Sequence, residues 1–133
     1  MRGEILDTHV VIRFLGQPQR LGKLQLRALR EAERRGEQFQ ISAITLIEVA
    51  QMFRTGSVRM PMDPRAVLHT LESEDRFRVL PITVAIARDF GTMFPILRDP
   101  ADAIIAATAR VHGLRLVTSD QRIIDSNVVS TIA

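Results

Sequence analysis

The chain has 133 residues, 46% hydrophobic and 25% charged, which suits one globular domain able to bury about two-thirds of its unfolded surface. Cysteine is absent, which excludes disulfides, thiolate metal sites and cysteine nucleophiles; no apolar run reaches the roughly 18 residues of a membrane span, and the amino terminus lacks a leader pattern, so a cytoplasmic protein with no membrane partner is expected. Net charge is only +3, yet the pI is about 10.8 because no Cys or Tyr titrates between His and Lys; Lys23 is the single lysine, and the arginines that make up the rest match phosphate or carboxylate partners bidentately.

Residues 3–6 read as a short buried strand, followed by a helix through Val10, Val11 and Phe14 that stops near Gly16 and Pro18. Between residues 19 and 35, Leu21, Leu24, Leu26, Ala28, Leu29 and Ala32 trace an amphipathic helix with an arginine-rich outer face, ended by Gly36. A second strand covers 39–42, and a helix covers 45–54, closed by Gly56. Asp63-Pro64 opens another helix, with Asp as N-cap and Pro at the first helical position. A third strand at 77–80 precedes a helix from 83 to about 93 and a loop at 95–98. Asp99-Pro100 then repeats the Asp-Pro start of a helix that runs to Val111 and ends at His112-Gly113. The fourth strand is 114–118, a short helix begins at Asp120, and the last strand is 128–132. Strands alternating with helices, without repeat or linker, predict a single α/β domain over residues 1–133. It is an α/β/α sandwich with a central, mostly parallel sheet of about five strands.

Such a sheet gathers functional groups at the carboxyl ends of its strands. Four acids fall there: Asp7 after Ile5-Leu6, Glu48 one turn beyond the second strand, Asp102 in the first turn of an Ala-rich helix, and Asp120 after Leu116-Val117-Thr118-Ser119. Each also has a structural reading. Asp7 and Asp120 suit helix N-caps, and Thr45-Leu46-Ile47-Glu48 fits a capping box. Asp102 suits the helix dipole, and Asp99, before Pro100, suits an N-cap better than a ligand. Glu48 lies among apolar neighbours, however, and Asp102 opens a helix that is apolar all round; a buried carboxylate must be paired, protonated or metal-bound. Capping does not require four acids to share one rim. Their joint placement points to a divalent-metal site and phosphodiester hydrolysis, and oxygen-only ligation suits Mg²⁺, with Mn²⁺ as the alternative. His9, His69 and His112 lack ligand spacing and read as structural or surface residues, while no Gly-rich phosphate loop or G-x-S-x-G elbow is present.

Four segments in this order and spacing resemble the PIN-domain ribonucleases, specifically the VapC-type toxins of bacterial toxin–antitoxin pairs. They are residues 5–10 (Ile-Leu-Asp-Thr-His-Val), 41–50, 98–109 and 116–120, so the resemblance spans essentially the whole chain. It implies an endoribonuclease whose acidic pocket is Asp7, Glu48, Asp102 and Asp120, with Thr8 and Thr118 as polar supports and Asp99 as a secondary metal candidate. It also implies a homodimer through the early helices and a VapB-like antitoxin that places a basic side chain in the pocket. Two departures stand out. Gln121 and Arg122 follow Asp120, where many relatives carry a further acid, and Arg13 stands where an aromatic is common.

Arginines near the rim, Arg13, Arg98 or Arg122, are the expected RNA-backbone contacts. All aromatics are Phe and make up 5% of the chain, so base stacking is not the expected source of selectivity. The rival readings are a catalytically silent PIN-like module that binds RNA or protein, and a receiver-type Mg²⁺ switch. The latter needs a Lys late in the chain, and Lys23 is early.

Overall fold

The computed structural model describes residues 3–55 and 62–133. In chain order the elements are β1 (Glu4–Leu6), α1 (Thr8–Gly16), a 3₁₀ turn (Pro18–Arg20), α2 (Lys23–Arg34), β2 (Phe39–Ser42), α3 (Ala43–Thr55), α4 (Pro64–Ser73), β3 (Phe77–Leu80), α5 (Val84–Met93), α6 (Pro100–His112), β4 (Arg115–Val117), α7 (Gln121–Ser126) and β5 (Thr131–Ile132). The five strands form one sheet in the order β3-β2-β1-β4-β5, and every pairing is parallel. β1 is therefore central, as its apolar run implies, and the last residues of β1 and β4, Leu6 and Val117, lie in register.

Alternation along the strands divides the core. Leu6, Ile41 and Val117 face a cluster built with α1, α2 and α4, including Val10, Phe14, Leu29 and Val67. Ile5 and Leu116 face a second cluster with α5 and α6, including Ile86, Met93, Ile105 and Ala106. Successive strand residues point to opposite sides, so β1, β3 and β4 each serve both layers. The Asp-Pro starts form as expected: Asp63 accepts from the Arg65 amide and Asp99 from the Ala101 amide, both at 2.9 Å. Gly113 ends α6 in the left-handed region at φ 66°, which Gly enters without strain.

Three expectations are corrected. The helix expected over 19–35 begins only at Lys23, because Leu21 and Gly22 are extended and Gln25 Oε1 accepts from the Gly22 amide at 3.0 Å; Leu24 is left 63% exposed. The capping box at Thr45–Glu48 does not form. α3 starts at Ala43, two residues earlier, with the Ser42 hydroxyl accepting from the Ile44 amide, so Thr45 is an internal residue of the helix. The last strand shrinks from 128–132 to two residues, because the Val128 carbonyl accepts from Arg110 and its amide donates to the Ser126 hydroxyl. Gly56, the expected end of α3, lies outside the described residues. No helix among the described residues is long and apolar enough to cross a membrane.

Candidate active site

The carboxyl end of the sheet carries the acids. Asp7 stands between β1 and α1 and is 5% exposed; one carboxylate oxygen accepts from the Thr8 amide at 2.8 Å and the other from the Thr118 hydroxyl at 2.8 Å. Thr118, fully buried at the end of β4, also accepts from the Asp120 amide at 3.0 Å. One hydroxyl therefore orients both Asp7 and the loop that carries Asp120.

Thr8, in the first turn of α1, donates to Glu48 and meets the Thr45 hydroxyl at 3.0 Å. A hydroxyl has a single proton; Thr8 gives its own to Glu48, so Thr45 donates to Thr8. The relay Thr45–Thr8–Glu48 ties α3 to α1. Glu48 is only half-buried, and its neighbours Ile47 and Ala50 are exposed, so the apolar stretch around it is a rim rather than an interior.

Asp102 opens α6 with its side chain 14% exposed. Burial, then the negative charges of Asp99, Asp7, Asp120 and Glu48, push its carboxyl up to about 7. Asp7 is also raised by burial, against the hydrogen bonds from Thr118 and Thr8, and Glu48 is raised by burial, against the Thr8 hydroxyl. Asp120 goes the other way. Burial raises it, but the Arg122 side chain and amide together hold it below the usual range.

Arg122 sits in α7 with its guanidinium 3.3 Å from Asp120 and 3.9 Å from Asp102. Asp99 spends one oxygen on the Ala101 amide and lines a cleft of about 200 Å³ with Arg98, Asp102 and Arg122. A second cleft of about 240 Å³ is lined by Asp7, His9, Arg13, Ser119 and Asp120. A larger groove of about 440 Å³ lies between α2 and the β4–β5 edge, where Glu4 and Glu31 are matched by Arg27, Arg35 and Arg115. It lacks the excess of acids.

All four expected acids thus reach one rim, with Thr8 and Thr118 beside them. Sequence reasoning missed three participants. Thr45, which the Thr-x-x-Glu spacing reads as a cap, instead supports Thr8 from inside α3. His9 reads from the sequence as structural or surface; it is exposed, lines the cleft beside Asp7 and favours that acid's ionised form, and its position two residues after Asp7, with Arg13 one turn on, is the available signal. Gln25 carried no signal. It is 1% exposed, and its amide nitrogen donates to the Thr118 carbonyl at 3.0 Å, the Ser119 hydroxyl at 3.1 Å and the Ile132 carbonyl at 3.4 Å.

As placed, no three acidic or imidazole side chains among the described residues surround one point closely enough to grip an ion. The donor chemistry nevertheless fits a hard divalent cation: the candidates are carboxylates, and the charge they accumulate at Asp102 is what a cation would relieve.

The sequence profile of the PIN domain matches residues 5–128. Ribonuclease VapC22 of Mycobacterium tuberculosis is 32% identical over 120 residues, covering 90% of this chain and 88% of that protein. Among solved structures, the DNA-bound VapBC of Salmonella typhimurium aligns with a TM-score of 0.71 at 22% identity, over 99% of this chain and 98% of that one. VapBC2 of Rickettsia felis, bound to a DNA fragment from its promoter, aligns at 0.68 and 15% identity, over 97% and 96%.

Proposed function

Because the chain belongs to the PIN-domain family, we propose that it is a metal-dependent endoribonuclease, the toxin of a VapBC-type pair, acting through Asp7, Glu48, Asp102 and Asp120. The observation that carries this reading is the pile-up of negative charge at Asp102, to which Asp99 at the start of the same helix and Asp7, Asp120 and Glu48 from separate parts of the chain contribute. A solvated, merely capping acid has no reason to sit in that field.

The four acids, with Asp99 as the secondary candidate, would hold Mg²⁺ or Mn²⁺. A bound divalent cation would activate water as the nucleophile and offset charge developing on the scissile phosphate. The protein's own part is positioning. Thr118 fixes the direction of Asp7, Thr8 holds Glu48 toward the rim, and Arg13 and Arg98, on either side of the acids, contact the RNA backbone. RNA as substrate, a homodimer and a VapB-like antitoxin belong to this reading. An antitoxin cation placed among the acids would remove their repulsion and block metal entry.

The test is cleavage of a mixed RNA pool by purified protein with Mg²⁺ and with EDTA, beside Asp7→Asn. Cutting that needs Mg²⁺ and falls at least about 100-fold in the variant is expected. EDTA-resistant cutting, or full activity in Asp7→Asn, would overturn the catalytic assignment, and a folded protein that binds RNA without cutting it would leave the silent binding module.

A further inference from the structure

Arg122 is the one cation among the described residues that pairs with any acid of the site. Its guanidinium takes Asp120 with two nitrogens, Nε to Oδ1 at 3.4 Å and Nη2 to Oδ2 at 3.3 Å, and the same Nη2 reaches Asp102 at 3.9 Å. It therefore stands between the acid after β4 and the acid of α6. The side chain is 77% exposed and is carried by a helix of only six residues, so nothing packed around it fixes it there.

The geometry points to Arg122 as a resident counter-ion of the acidic pocket, competing with the divalent cation for Asp102 and Asp120 until an RNA phosphate draws it away. This rests on the metal-site reading above. The physical basis is that the guanidinium fork matches phosphate as well as carboxylate. Without RNA, the carboxylates are its best partners. With RNA bound, a phosphodiester offers a new one, and Asp120 and Asp102 are released to the metal at the moment substrate arrives. Metal and RNA then favour each other's binding, as any such linkage requires.

The experiment is Mn²⁺ binding, followed by the electron paramagnetic resonance of free Mn²⁺, to the wild type, Arg122→Gln, Arg122→Lys and Asp7→Asn without RNA. Arg122→Gln is expected to bind Mn²⁺ about three- to tenfold more tightly than wild type at low salt, from the loss of two exposed ion pairs, with the gap narrowing at high salt. Arg122→Lys should lie between, and Asp7→Asn should bind more weakly. Arg122→Gln should also weaken RNA binding, so its two effects have opposite signs. Equal or weaker Mn²⁺ binding by Arg122→Gln, with wild type binding normally, would overturn the competition and leave the metal site standing. No Mn²⁺ binding by any variant would overturn the metal reading and this inference with it.

Discussion

At Asp102 the fold holds a carboxyl that ionises near 7, against about 4 in an unfolded chain. Below about pH 4 both states are protonated and nothing is lost. Between 4 and 7 the unfolded chain ionises first, so stability falls as pH rises, and the loss is complete above 7. Asp7 and Glu48 are raised as well and act in the same direction, while Asp120 and Glu37 are lowered and act in the other. In EDTA the protein is therefore expected to melt at a higher temperature at pH 5 than at pH 8. Asp102→Asn should remove most of that difference while abolishing cleavage. Thermal melts at the two pH values check this, and an unchanged difference in the variant would place the destabilising charge elsewhere.

Gln25 links one helix to the far end of the chain. It joins α2 to the loop after β4 and to β5, and with its oxygen on Gly22 every polar atom it has is satisfied. Gln25→Met keeps the volume but leaves those partners unpaired, at an expected cost on the order of 2–3 kcal/mol. Amide exchange at Ser119 and Asp120 should quicken more than exchange in α6. Uniform acceleration would mean that Gln25 serves the whole fold rather than that loop. None of this could be read from the residues, because a Gln on an arginine-rich helix looks solvated and its partners lie 93 to 107 positions away. What could be read was what local chemistry decides. Asp-Pro starts, the Gly113 stop and the apolar strands announced the elements, and the order of those elements put the acids on one rim. The break before Lys23, the early start of α3 and the short β5 depended on hydrogen bonds between side chains and backbone that periodicity does not register.

Taken whole, the molecule sets a rim of acids among arginines. Single-stranded RNA held by Arg13, Arg98 and Arg122 should lose affinity with salt; at about 0.7 per phosphate contact, three contacts give a log–log slope of about −2. Titrating a non-cleavable oligonucleotide at several salt concentrations measures it, and a flat response would rule out backbone recognition by these side chains. The parallel order of the strands also bears on time. Asp7 is made early, but the hydroxyl that aims it belongs to Thr118, 111 residues later, and the neighbouring strand β4 is laid down only after α6. On a ribosome, the first acid waits for 111 further residues before its pocket can close. A polypeptide halted before Thr118 carries Asp7 with one oxygen held by the Thr8 amide and the other unaimed, so the cell that makes this protein meets a finished pocket only once Thr118 has been added.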